Sequence, residues 1–347
     1  VLAKAACIHP SRNLIPMKTR GPLIGFALIT LLYLGTLIWL DAQKQVFARL
    51  TQLGPALVVM ACLALGSFVV RFARWQWLLH RMGHYPPLGY SFLAYMSGFA
   101  FTATPGKVGE LVRIRYLLPA RVPAQTTLGV FVYERLFDLL TVLMLATFHA
   151  TQSPVLMASV SAFVLVLAVV VLGCTWNPRL FNQVIVPLRR LHAWRLVLLL
   201  RTLRDGLCQS RRLATPLDTA ISLGTGLMAW LFTAGAFVWL LHQLDIVLPW
   251  HVSQSIYPIA MLAGAASMIP GGMGSTEATI VALLMSQDIE PATAGLAAVG
   301  ARLATLWFSI LLGFLAMLCL NVRYGKGEKT PHPAPFSITS LSPRGRI

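Results

Sequence analysis

Apolar residues run along this chain in eight long stretches separated by short polar segments. Six are continuous: 22–40, 54–70, 126–148, 154–176, 219–241 and 292–320. Each is near the length of about 20 residues that a helix needs to cross a bilayer. Two others are interrupted by Pro and Gly: 88–118, broken at 104–109, and 252–285, broken at 269–274. A spanning segment must satisfy its own backbone hydrogen bonds, so apolar runs of this length read as helices. The pattern predicts an all-α, polytopic membrane protein. It has six full transmembrane helices and two broken, re-entrant helical hairpins.

The polar segments give these elements a direction. Basic residues cluster at 1–21, 71–84, 105–121, 177–217 and 321–347, whereas 149–153, 242–255 and 286–291 contain no Lys or Arg. Lys and Arg mark cytoplasmic loops. Placing every basic segment in the cytoplasm gives one consistent path, with both termini cytoplasmic and only Lys44 and Arg49 out of place. The first hairpin then enters from the cytoplasm and the second from outside. Residues 22–148 and 154–320 carry the same order of elements: two spans, a broken hairpin and a third span. Three crossings per unit invert the second unit relative to the first. Inverted repeats with broken helices are a recurring transporter plan. The motifs match across the units. Pro105-Gly106-Lys107-Val108-Gly109 corresponds to Pro270-Gly271-Gly272-Met273-Gly274, and an acid follows each, Glu110 and Glu277.

Composition agrees with the pattern. Of 347 residues, 57% are hydrophobic and 11% charged, and the net charge of +17 comes from 28 basic against 11 acidic residues. The basic residues are scattered between apolar runs and form no nucleic-acid patch. The five cysteines, Cys7, Cys62, Cys174, Cys208 and Cys319, share no metal-ligand spacing and read as packing residues. No cofactor is expected. Met17 is a more natural start than Val1, and 1–16 reads as irregular lead-in. The apolar run that follows is too long for a signal-peptide core. In the connection 177–217, Leu199, Leu200, Leu203 and Leu207 share a helical face, with Arg201, Arg204, Arg211 and Arg212 off it. This predicts a basic amphipathic helix on the cytoplasmic surface. The segment 321–347 reads as a disordered basic tail.

Charges within the apolar stretches are costly, and so are usually paired or functional. Four acids fall there: Glu110, Glu134, Asp138 and Glu277. Lys107, Arg113, Arg135 and Arg302 lie at similar depth. Glu134 and Asp138 are four apart on one face and need a cation from another element, with Arg113 a candidate. Glu110 and Arg113 are three apart and can pair. Half-helices starting at Gly106 and Gly274 would aim N–H groups and a positive dipole end into the membrane, where a phosphate fits. The group reads as a structural ionic network, as a headgroup site, or as a proton relay. Arg71 and Arg74, beside Trp75 and Trp77, read as snorkelling anchors at the cytoplasmic interface.

In order along the chain, the motifs are Arg71 to Trp75, Ala103 to Glu110 with Arg113, Glu134-Arg135-Leu136-Phe137-Asp138, and Pro270 to Gly274 with Glu277. Together they resemble the flippase-like transmembrane domain of the lysylphosphatidylglycerol synthetase family over about 23–320. In full-length members a C-terminal soluble domain attaches an amino acid to phosphatidylglycerol, and the membrane domain moves the product outward. The segment 321–347 is too short for such a domain, so the resemblance implies a stand-alone flippase and not an aminoacyl transferase. The expected cargo is a phospholipid, an aminoacylated lipid or a polyprenyl-phosphate lipid, in a bacterial cytoplasmic membrane. A second copy of the chain and a separate lipid-synthesising enzyme remain open as protein partners. The alternative is a membrane-embedded glycosyl- or aminoacyl-lipid synthase. The chain contains no Asp-x-Asp pair, phosphate loop or His/Asp cluster that such an enzyme would use.

Overall fold

A computed structural model describes residues 53–147 and 210–324, with scattered positions between 155 and 208. All of these belong to the unit formed by residues 49–347. The expected first span 22–40 and most of both 154–176 and the amphipathic connection lie outside the described residues. So do the 1–21 segment and the tail from 325 on.

The described residues form nine α-helices with short tighter turns, and no strand. Helix α1 (Gly54–Arg81) opens on a Pro in its first turn, where the missing N–H costs nothing. The expected span ends at residue 70, but the helix continues to Arg81. No breaker intervenes before Gly83 (φ 81°), and the charges of Arg71 and Arg74 are neutralised within the protein. Helix α2 (Leu88–Ser97) leads through the turn Gly98–Phe101 into a 3₁₀ segment, Pro105–Val112, and the short α3 (Arg113–Leu117). Helix α4 (Ala124–Ala146) follows Pro123.

Helix α5 (Pro216–Gln243) starts on Thr215, whose Oγ1 accepts the Asp218 N–H at 3.2 Å. The Asp218 carboxylate in turn accepts Arg81 Nε at 2.9 Å and Trp77 Nε1 at 3.0 Å. The end of α1 and the start of α5 therefore lie at the same end of the bundle, and the two helices pack along their lengths. Helix α6 (Trp250–Ala266) breaks at Pro270–Gly272 and resumes as α7 (Ser275–Met285). Helices α8 (Pro291–Arg302) and α9 (Phe308–Tyr324) form one rod joined by a π-turn, Leu303–Trp307.

Three of these elements are long and apolar enough to cross a membrane: α1, α5 and the α8–α9 rod. Helix α4 has 23 residues but carries Glu134, Arg135 and Asp138. Apolar side chains face outward along the rods, among them Val58, Leu65 and Val69 on α1 and Leu311, Leu315, Leu318 and Val322 on α9. In water such stripes would be an aggregation hazard; against lipid they are solvated.

The two Pro-Gly turns pack against each other, the 105–112 segment on the 270–272 turn. Gly271 is left-handed (φ 64°), and a Cβ there would sit 3.3 Å from the Cα of Ala103. Only glycine combines that φ with that approach at little cost. The turns also share a backbone feature. Lys107 and Gly272 occupy the third position of their motifs and are both left-handed, at φ 56° and 62°. Helix α9 covers α2 and the turn after it, with Gly313 against the backbone of Phe99 and Ala100.

Candidate functional site

Where α1, α4, α5, α6 and the π-turn meet the two Pro-Gly turns, they enclose a cavity of about 440 Å³. Its wall is mostly apolar, with Phe68, Phe99, Leu139, Val142 and Trp230 among the lining. Five charged side chains line it: Arg71, Lys107, Arg135, Asp138 and Arg302. Arg71, Arg135 and Asp138 lie within their helices, Lys107 lies in the first Pro-Gly turn, and Arg302 lies where α8 passes into the π-turn. Arg71 is roughly 15 Å along its helix from Arg81, and Arg302 roughly 16 Å from Pro291.

One side of the cavity rests on a charge network seeded by α4. Glu134 and Asp138 are one turn apart, so both carboxylates face the same way. Arg74 from α1 answers both: Nη2 donates to Asp138 Oδ1 at 2.6 Å and lies 3.3 Å from Glu134 Oε1. Its Nη1 donates to the Ser222 carbonyl of α5 at 3.3 Å. Arg71 donates to the other Asp138 oxygen, and Tyr95 OH donates to Glu134 Oε1 at 2.9 Å. Arg135 Nη2 lies 3.3 Å from Asp138 Oδ2, 3.8 Å from Glu134 and 3.9 Å from Glu110.

The first hairpin contributes Glu110 and Arg113, paired at 2.7 Å as their spacing predicts. Arg113 Nε also donates to the Glu110 carbonyl oxygen, and Thr102 Oγ1 donates to the Glu110 carboxylate at 3.0 Å. The Arg113 guanidinium sits 4.8 Å from the Trp75 ring centre and 4.5 Å from that of Tyr95. Such a box holds a cation well away from water.

Across the cavity the second hairpin repeats the theme in simpler form. Arg302 Nε donates to Glu277 Oε1 at 2.9 Å, and Arg302 Nη2 to the Gly271 carbonyl. Glu277 Oε2 accepts the Gly274 N–H at 2.8 Å. The start of α7, expected to offer its N–H groups to a phosphate, is thus capped in part by its own glutamate.

The sequence-derived residues divide into two groups. Lys107, Arg135, Asp138, Arg302, Gly271 and Gly272 line the cavity. Glu110, Arg113, Glu134 and Glu277 stand behind the wall and hold the lining arginines or the turns in place. The cation between Glu134 and Asp138 is Arg74; Arg113 approaches Glu134 only to 3.7 Å. Gly109 serves the turn itself, its N–H bonded to Thr104 Oγ1 at 2.7 Å, and Pro270 opens the second turn. Pro105 and Gly106 open the first 3₁₀ segment.

Two network members differ from the sequence reading. Arg71 and Arg74 are not snorkelling anchors: they are 8% and 1% exposed and bound to carboxylates. Their spacing of three puts both on one face of α1, and that face pointed inward. Among the described residues no three His, Cys, Asp or Glu side chains gather as metal ligands would.

No curated protein and no solved structure matches the chain. A family model does, over residues 23–313, which include both Pro-Gly turns, the α4 acids and Arg302. The chain therefore belongs to the family described as the lysylphosphatidylglycerol synthase TM region.

Proposed function

We propose that this protein is a lipid translocase that passes a phosphate-bearing headgroup through the cavity between its two hairpins. One observation carries the reading: four basic side chains and a single acid line a cavity whose wall is mostly apolar. A cation-rich wall in a low-dielectric setting binds anions, and arginine's planar fork suits phosphate oxygens. Arg71, Arg135 and Arg302 present such forks from two sides of the cavity, and Lys107 adds a point charge. The acids behind them set their positions.

A second groove, about 190 Å³ and wholly apolar in its lining, supports a lipid as cargo. It sits about one turn from the cavity, with Leu65 one turn before Phe68 on α1, Met96 of α2 three residues before Phe99 in the turn that follows, and Leu312 one turn after Ser309 on α9. Phe68 and Phe99, 4.8 Å between ring centres, separate the two spaces. A hydrocarbon chain fits the groove while the headgroup stays in the cavity.

In this reading the chain has six full spans and two hairpins inserted from opposite faces. The basic segments and both termini face the cytoplasm. The contact of Arg81 with Asp218 is consistent with that path, since it joins two segments assigned to the cytoplasmic side. The test is lipid exchange in vesicles. Purified protein in liposomes with a labelled phosphate lipid should expose the inner-leaflet label to an added membrane-impermeant quencher. Protein-free vesicles should keep it protected. Failure of every phosphate lipid in a panel to exchange would overturn the proposal.

A further inference from the structure

The charges around the cavity do not balance. On the side built by α1, α4 and the first hairpin, Glu110, Glu134 and Asp138 face Arg71, Arg74, Lys107, Arg113 and Arg135. That is five cations to three anions, whereas Arg302 is matched by Glu277. An uncompensated charge inside a low-dielectric region is expensive, so the surplus of two needs a partner.

The surplus can be assigned to residues. Arg74 and Arg113 have side chains 0% exposed and carboxylate partners at 2.6 and 2.7 Å. Arg71 is bound to Asp138. The Lys107 side chain makes no hydrogen bond or ion pair among the described residues, and it lines the cavity. The buried Nε of Arg135 has no hydrogen-bond partner, and the side chain keeps 18% exposure.

The backbone at Lys107 adds an independent sign. A left-handed lysine costs on the order of 1 kcal/mol, and such outliers gather at ligand sites. The matching position of the second turn is Gly272, for which the same φ is easy. The first turn thus carries an amine where glycine would fold with less strain.

We infer that the cavity is built for a phosphate headgroup with at least two negative charges, a lipid phosphomonoester or diphosphate, held by Lys107 and Arg135. This rests on the lipid-translocase reading and narrows its cargo. A phosphodiester brings one negative charge and leaves one cation unanswered. An aminoacylated headgroup adds an ammonium to a wall whose one acid is already engaged. A phosphomonoester carries close to two charges at pH 7, because its second proton leaves near pH 6.

The test uses the purified full chain in detergent and three probes with the same hydrocarbon tail: a monophosphate, a diphosphate and a methyl phosphodiester. Binding is read by native mass spectrometry and by tryptophan fluorescence. The mono- and diphosphate should bind at least about tenfold tighter than the diester at pH 7, the worth of one charge-assisted hydrogen bond. At pH 5 the monophosphate should lose that advantage, while the diphosphate keeps it. Lys107→Gly gives the turn the residue found at 272, so it should fold at wild-type yield and bring monophosphate and diester to similar affinity. Equal binding of monoester and diester by the wild-type protein would overturn the inference, as would unchanged selectivity in Lys107→Gly. Inorganic pyrophosphate binding as tightly as the lipid diphosphate would support the phosphate site and remove the lipid. Tight lipid-phosphate binding without vesicle exchange would retain the site and reject translocation.

Discussion

Arg74 ties three helices together. It joins α1 to both α4 acids and to the Ser222 carbonyl of α5, with 1% of its surface exposed. Replacing it with Ala breaks a buried ion pair, leaving Asp138 to Arg71 and Arg135 and Glu134 to Tyr95, and loss of one partner of such a pair costs on the order of 3 kcal/mol. Arg74→Ala should therefore lose most of its folded yield, or unfold well below the wild type in a thermal scan in detergent. The lining arginines should behave differently. Arg135→Lys and Arg302→Lys keep the charge and lose the fork, so both should purify normally and exchange lipid more slowly. Wild-type exchange rates in both would make those arginines purely structural. The sequence showed that Glu134 and Asp138 share a face and require a cation from elsewhere. It did not show which cation. A basic residue inside an apolar run resembles a helix end until its counter-charge is known, and the counter-charge of Arg74 lies on α4, distant in sequence.

At the scale of elements, the repeated Pro-Gly motif was legible because its effect is covalent and local. Proline lacks the N–H that would continue a helix, and glycine opens the left-handed region. The second break falls where its motif puts it, whereas the first is wider, with α-helix ending at Ser97 and resuming at Arg113 on either side of its motif. Less legible was what fills the helix ends. That Glu277 caps its own helix while gripping Arg302 depends on a rotamer that spacing leaves open. The extension of α1 to Arg81 was hidden too, because it depends on pairing with α4 and α5. Gly271 gives a sharp test at this scale. Gly271→Ala combines φ 64° with a side chain 3.3 Å from Ala103, so it should destabilise by roughly 1–3 kcal/mol. The drop should appear in thermal unfolding. Gly274→Ala meets no neighbouring atom within 4 Å but would hold alanine at φ 84° and ψ −50°, a strained backbone region, so its cost should be of similar size and come from the backbone alone.

For the whole molecule, the proposed inverted arrangement makes a prediction that side-specific labelling can check. Cysteines placed near 107 should stay unlabelled by an impermeant reagent added outside intact cells. A cysteine at Val247, itself 80% exposed, should label readily from there. The reverse pattern would require a different path through the bilayer. The described part also shows that the sequence repeats are not separate bodies. Helix α5 lies along α1, and α9 lies on the first hairpin, so each half is packed through the other.

The meeting of Gly313 with the turn after α2 bears on the order in which the protein can be completed. A Cβ at 313 would come within 2.0 Å of the Ala100 nitrogen, so the two backbones are nearly in contact, and α9 forms one wall of the first hairpin. During synthesis that hairpin leaves the ribosome long before Phe308–Tyr324 exists. It must wait, with one side open to lipid or to an insertion chaperone, until the later helix arrives to close it. A nascent chain arrested after residue 290 should therefore leave the 98–112 region open to protease or to thiol reagents, and release of the arrest should seal it.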